Sequence, residues 1–134
     1  MTRRRDARRQ AVGILFEADV AHRDPREVLE QRLEMGERIP GFASDLVRGV
    51  AEHLEELDRT IGASSEAWTV ERMAAVDRAV LRTAAFELLH RDDIPPAAAI
   101  DEAVAIAGEL STAESGAFVN GVLGRIHRER AEAG

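Results

Sequence analysis

Five arginines crowd the first nine residues of the chain, and their spacing suits the binding of a polyanion. They are Arg3, Arg4, Arg5, Arg8 and Arg9, with Asp6 as the only acid among them. In a helix, residues four apart share a face, so this segment would present two adjacent rows of guanidinium groups. Guanidinium groups form bidentate hydrogen bonds with phosphate and stack on bases. Because cations are disfavoured at a helix N-terminus, their concentration here predicts a compensating partner, and we expect nucleic acid.

The rest of the sequence offers little for catalysis. All 18 basic residues are arginine, and the chain has no lysine and no cysteine. Their absence excludes Schiff-base chemistry, a phosphate-loop lysine, a thiol nucleophile and a thiolate metal site. The four histidines are far apart in the sequence, have no metal-binding spacing and are interpreted as helix-surface or helix-end residues: His22, His53, His90 and His127. We therefore predict no enzymatic activity, no cofactor and no metal.

The charge of the chain is divided between a basic start and an acidic remainder. Residues 1–9 carry five arginines and one acid, a local charge of +4. The other 125 residues carry 13 arginines and 24 acids, a local charge of −11, and the two parts sum to the formal net charge of −7. A polyanion contact is therefore expected at one end of the molecule only.

No targeting segment is predicted. The apolar run from Ala11 to Phe16 is ended by Glu17 and Asp19. It is shorter than the roughly 7–15 apolar residues of a signal peptide. No stretch approaches the roughly 20 apolar residues of a membrane span, so the expected location is the cytoplasm.

Helical periodicity dominates and predicts an all-α fold of about seven helices. Breaks are marked by Gly36, by Pro40–Gly41 and by the prolines after Ile94, and Asp24–Pro25 is typical of an N-cap followed by proline in the first turn. The predicted helical segments run from the arginines to about Ala21, from Pro25 to Gly36, from Phe42 to Ile61, as a short turn after Thr69, from Val76 to His90, from about Ile100 to Leu110, and from a cap at Ser111 or Ser115 to about Arg128.

Connections between these segments are short, so residues 1–134 are predicted to form a single domain. Gly62–Ser65 is interpreted as a helix C-cap and connector, and it divides the domain into helical halves of about 1–62 and 66–130. The elements that must position the arginines are therefore the first helix and whichever helices pack against its start.

Three stretches of the sequence are distinctive when they are taken together. They are RDARRQAVGILF from Arg5 to Phe16, VDRAVLRTAAFELL from Val76 to Leu89, and a third run that begins at Ile94–Pro95 and ends in FVNGVL, Phe118 to Leu123. In this order and at these distances they closely resemble the NusB family of bacterial transcription antitermination factors. The resemblance covers nearly the whole chain and implies an all-α fold of two perpendicular helical bundles.

The resemblance also implies a function and partners. In that family the protein pairs with NusE, a small-subunit ribosomal protein, and the pair binds the boxA element of nascent RNA. It then helps RNA polymerase, through other Nus factors, to pass terminators in ribosomal RNA operons. Carried over to this chain, RNA contacts fall on Arg3, Arg4, Arg5, Arg8, Arg9, Phe16, Glu114 and Phe118, and NusE contacts fall on Glu71 and Asp77. A ribosomal protein is basic, so the acidic remainder of this chain offers it a complementary surface.

Two other functions stay open at this stage. The related N-terminal RNA-binding domain of ribosomal RNA cytosine methyltransferases has the same helical character, but it precedes a catalytic domain with glycine-rich and cysteine motifs that this sequence lacks. We expect a complete product, because the chain starts with methionine and ends in a charged, small-residue tail. A helical scaffold with no RNA role is the third reading. The resemblance leaves both a monomer and a homodimer open.

Overall fold

Seven α-helices follow one another along residues 3–133, the part of the chain that this computed structural model describes. They are α1 (Arg3–Ala21), α2 (Pro25–Glu34), α3 (Gly41–Glu52), α4 (Leu54–Ser64), α5 (Ala75–His90), α6 (Pro96–Leu110) and α7 (Ala113–Ala133). A 3-10 turn, Val70–Arg72, lies between α4 and α5. Residues 3–133 contain no strand, and the predicted all-α fold is confirmed.

The predicted helix from Phe42 to Ile61 is in fact two helices. The chain breaks at His53, which ends α3 and begins α4 with φ −110° and ψ 21°. Apolar residues on both sides of the break, such as Val50 and Leu57, are fully buried, so the hydrophobic spacing continues across it. Periodicity therefore could not locate the break. The predicted short turn after Thr69 is a 3-10 turn and not an α-helix. The seven observed α-helices therefore include two helices, α3 and α4, where one was predicted, and the turn after Thr69 is not among them.

The helix ends agree with the sequence in one case and differ in another. Asp24 caps α2 as predicted, since its carboxylate accepts from the backbone N–H of Arg26 at 2.9 Å. The prediction that Ser111 or Ser115 caps α7 is wrong, because Thr112 Oγ1 accepts from the Ser115 N–H at 3.1 Å. The helix also continues to Ala133 rather than fraying after Arg128.

Helix α5 is the central element of the helical packing. It packs against α1 and α3, which also pack with α2, and against α4, α6 and α7. Its side chains Leu81, Ala84 and Ala85 are fully buried at the centre of the core. Helix α4 packs against α5 and α7. The predicted division of the chain near residues 62–66 stays a prediction. Within residues 3–133, every helix is too short or too polar to cross a membrane.

Candidate nucleic-acid interface

The arginine-rich segment is the first two turns of α1, and it lies where α1 packs against α5 and approaches α6. The helix begins at Arg3, so the five arginines are fixed on a rigid element, with Asp6 in the first turn. The buried face of this segment starts with Ala7, Arg8 and Ala11, which pack into the core. The remaining arginines are left at the surface between α1 and its neighbours.

Two of the arginines are held by glutamates of α6. Arg5 donates to Glu102 from Nε at 2.6 Å and from Nη2 at 2.8 Å. Arg9 donates to Glu109 from Nε at 2.8 Å and from Nη2 at 2.9 Å, and to Asp6 from Nη1 at 2.7 Å. The hydrogen bonds and charge of the two arginines lower the pKa of both glutamates, so Glu102 and Glu109 are ionised near neutral pH. Each pair has the bidentate geometry that a phosphate would also adopt.

Arg8 lies inside the molecule rather than on its surface. Its side chain is only 6 % exposed and donates to Glu87 of α5, with Nη2 to Oε1 at 2.6 Å. Glu87 is itself buried, and this desolvation raises its pKa even though Arg8 opposes the rise. The predicted contact of Arg8 with phosphate stays a prediction, and it would require this buried pair to open.

Arg3 and Arg4 are the arginines of the segment with no carboxylate partner among residues 3–133. Both are exposed, and the guanidinium carbon of Arg4 lies 4.4 Å from the ring centroid of Phe42 at the start of α3. Arg8 and Arg91 also lie near this ring, at 5.2 and 5.4 Å. Phe42 thus orients three guanidinium groups through cation–π contacts. Arg4 keeps its hydrogen-bond donors available for an anion.

Phe16 lies on the stripe of α1 that carries Arg5 and Arg9. The three residues are separated by four and seven positions, which brings them to one side of a helix of 3.6 residues per turn. The Phe16 side chain is 38 % exposed, and the next residue on that side, Val20, is more exposed still. A ring at this place can stack on a base while the arginines hold the backbone.

The remaining predicted residues form a second region around the starts of α5 and α7. Asp77, Glu114 and Phe118 line one groove of about 300 Å³ together with Trp68 and Met73. The family resemblance implied RNA contacts for Glu114 and Phe118 and a partner contact for Asp77, but all three residues line the same groove. Glu71 is exposed on the adjacent 3-10 turn.

Asp77 is the most unusual side chain of this groove. It is 8 % exposed, and its Oδ2 accepts a hydrogen bond from Ser115 Oγ at 3.3 Å. Its Oδ1 is buried with no hydrogen-bond partner among the described residues. An unpaired buried carboxylate oxygen is costly, and a donor from a partner molecule would relieve that cost.

The structure therefore brings the predicted residues to two places rather than one. Along α5, Asp77 in the groove and Glu87 beside the arginines are ten residues apart, which corresponds to about 15 Å. Sequence reasoning missed Arg91 and the aromatic role of Phe42, and also the acids of α6 that hold Arg5 and Arg9. Local spacing carries no sign of these contacts, because the ion-pair partners are 97 and 100 residues apart in the chain.

Known proteins resemble this chain over nearly its whole length. The model of the NusB family matches residues 5–128. Transcription antitermination protein NusB of Salinispora arenicola is 48% identical over 130 residues, which cover 94% of this chain and 96% of that protein. A structure of NusB from T. maritima is 38% identical, with a TM-score of 0.85 over 96% of this chain and 92% of that one. A chain of the crystal structure of antitermination factors NusB and NusE in complex with dsRNA is 27% identical, with a TM-score of 0.83 over 96% of this chain and 99% of that one.

Proposed function

The chain belongs to the NusB family of transcription antitermination proteins, and we propose that it binds the boxA element of nascent RNA together with the ribosomal protein NusE. On this proposal it acts as a non-enzymatic adaptor in the cytoplasm. It connects RNA to the elongating RNA polymerase through other Nus factors, chiefly on ribosomal RNA operons. The observation that carries the proposal is the helical, arginine-rich start of α1.

We propose the start of α1 as the RNA-binding surface. Arg3 and Arg4 are exposed and have no carboxylate partner within residues 3–133. Arg5 and Arg9 lie beside them in bidentate geometry that a phosphate can take over from a carboxylate. Phe16 continues the same side of α1 with an exposed ring. Proteins that bind single-stranded nucleic acid combine cationic side chains along the backbone with aromatic rings on which bases stack. The similarity to a chain of the structure of NusB and NusE in complex with dsRNA supports RNA binding.

The proposed protein partner binds at a second surface. The groove at the starts of α5 and α7 combines an exposed Trp68 with the buried, under-bonded carboxylate of Asp77. Aromatic rings are enriched at protein interfaces, and a desolvated carboxylate selects a donor that carries positive charge. Glu71 adds an exposed negative charge at the edge. We propose this groove as the place where NusE binds, and Glu114 and Phe118 extend it toward RNA.

The methyltransferase-domain hypothesis receives less support. The relatives reported above are named as antitermination proteins, and they match this chain over almost all of their own length. The resemblance leaves both a monomer and a homodimer open, and sedimentation at working concentration would decide between them.

Titration of a fluorescent boxA-like RNA, with and without NusE and at several salt concentrations, tests the proposal. Log affinity should fall against log salt with a slope of about −0.7 for each phosphate contacted on a single strand. Arg4→Ala and Arg5→Ala together should flatten the slope by about 1.4. Arg130→Ala, an exposed arginine at the far end of α7, is the matched control and should leave the slope unchanged.

The partner surface has its own test. Asp77→Asn and Glu71→Arg should weaken NusE binding while the circular dichroism spectrum stays that of the wild type. Full NusE affinity in both variants refutes the groove as the binding site. An unchanged salt slope in the arginine variant refutes the RNA assignment of α1.

A further inference from the structure

Two histidines that are far apart in the sequence meet on the surface between α3, α4 and α5. His53 stands at the break between α3 and α4, and His90 is the last residue of α5. Their rings stack with centroids 4.0 Å apart and planes 17° apart. The carboxylate of Glu56, in the first turn of α4, approaches one nitrogen of each ring. Its Oε1 is 2.7 Å from His90 Nε2 and 3.5 Å from His53 Nδ1.

The local packing fixes this arrangement. Phe86, one turn before His90 on α5, stacks with both imidazole rings, at 6.0 Å from His53 and 5.6 Å from His90. Phe86 can lie there because residue 49 of α3 is glycine, and a Cβ at that place would come within 2.1 Å of the Phe86 ring. The helix break at His53 then turns its imidazole toward α5. The three donor groups thus come from the α3–α4 break, from α4 and from α5, and they lie around the buried Phe86 ring.

We propose that His53, Glu56 and His90 form a binding site for a divalent transition-metal ion, with Zn²⁺ as the ion of best-matched chemistry. One donor atom from each residue lies within 4.8 Å of the other two. Two imidazoles and one carboxylate form a common ligand set for zinc sites that keep a fourth position open. Zinc ligand atoms at about 2.0–2.2 Å from the metal lie roughly 3.3 Å from one another in a tetrahedron. Side-chain rotations can close the remaining gap, because the three side chains are 28–46 % exposed.

The electrostatic surroundings also favour a cation. The C-terminal ends of α3 and α5 and the N-terminal end of α4 all reach the cluster, so the partial negative charges of two helix ends outweigh the partial positive charge of one. Arg91, the cation that follows His90, is turned to the carboxylates of Asp93 and Asp45, at 2.9 and 3.9 Å. Its positive charge is therefore largely compensated away from the imidazoles. Neither the RNA-facing arginines nor the groove at Asp77 is part of this site, so the inference does not depend on the proposed function.

Calorimetric titration of ZnCl₂ into the untagged, metal-free full chain tests the site. The titration is carried out at mildly alkaline pH, because imidazole binds metal ions in its unprotonated form. We expect saturable binding of one ion per chain and an increase of the melting temperature when zinc is present. His53→Ala and His90→Ala should each weaken binding by at least about tenfold, and Glu56→Gln should weaken it as well. His127→Ala, a partly buried histidine on α7 outside the cluster, should bind zinc as the wild type does.

A second measurement separates loss of a ligand from loss of fold. Co²⁺ replaces Zn²⁺ with similar geometry and reports imidazole ligation through its visible absorption, and His53→Gln and His90→Gln preserve most of the side-chain volume. Absorption that appears in the wild type and disappears in the glutamine variants, with unchanged circular dichroism, supports the site. Absence of saturable Zn²⁺ binding overturns the proposal, and so does binding that His127→Ala weakens as much as the cluster variants do.

Discussion

Removing the charge of the two α6 glutamates that hold Arg5 and Arg9 should strengthen RNA binding. In Glu102→Gln/Glu109→Gln, each side chain keeps its size and an oxygen acceptor but loses its charge. In the wild type a phosphate must displace a bidentate carboxylate from each arginine, whose bonds are 2.6–2.9 Å long. If Arg5 and Arg9 contact RNA as proposed, the glutamates act as internal competitors of the RNA backbone.

The size of the effect follows from the exposure of the two pairs. The side chains of Arg5 and Arg9 are 34 % and 35 % exposed, so solvent and salt screen both interactions. Exposed ion pairs of this kind change an equilibrium by about two- to fivefold each, and the double variant should bind RNA about tenfold more tightly. If the same phosphates are contacted in both proteins, the salt slope stays the same.

Fluorescence anisotropy with the boxA-like RNA over a series of salt concentrations measures both quantities. Glu27→Gln/Glu34→Gln is the matched control, since it removes two exposed charges of α2 that have no arginine partner within residues 3–133. An affinity equal to that of the control would refute the competition. A slope steeper by about 1.4 would also refute it, because the freed arginines would then be making contacts that the wild type does not make.

The pH dependence of stability gives an independent measure of the same pairs. Hydrogen bonds from Arg5 and Arg9 lower the pKa of Glu102 and Glu109 below the ordinary value of 4.5. Carboxyls with a lowered folded-state pKa contribute stability above the unfolded-state value, and this contribution is lost as the pH falls through the folded-state values. The melting temperature of the wild type should therefore exceed that of the double variant above pH 4.5, and the difference should shrink below it. A difference that widens in acid would contradict the assignment.

Two further predictions concern stability and are checked by chemical denaturation. Glu87→Gln should destabilise the fold by about 3 kcal/mol or more, because Arg8 stays charged and buried. Arg8→Gln should destabilise it less, because burial already raises the pKa of Glu87 and its carboxyl can take up a proton. The reverse order of the two unfolding free energies would contradict this interpretation of the pair. Gly49→Ala should destabilise the fold by about 1–3 kcal/mol, because its added Cβ clashes with the Phe86 ring. Gly13→Ala is the control: its added Cβ has no neighbouring atom within 4 Å, and it should stabilise the fold by about 0.5–1 kcal/mol. Equal effects of the two variants on the unfolding free energy would count against the clash.

Hydrophobic spacing predicted most of the helices because burial and periodicity agree along them. The same rule failed at His53, where α3 and α4 bury residues in one continuous register, and the break changes direction without changing the pattern. The N-cap of α2 was predictable, since Asp24 acts on a backbone N–H two residues away. The cap of α7 had several candidates within a few residues, and only the geometry selects Thr112.

Charges were harder to interpret from sequence than helices, because composition counts charged groups but does not show their partners. The arginines and their common helix were predictable, whereas their carboxylates come from α5 and α6, far along the chain. This difference decides how an alanine scan of α1 must be interpreted. Loss of Arg4 removes an exposed cation, so its effect on RNA affinity reports a contact directly. Loss of Arg8 leaves a buried carboxyl behind, so its effect on RNA counts as a contact only after the unfolding free energy has been measured.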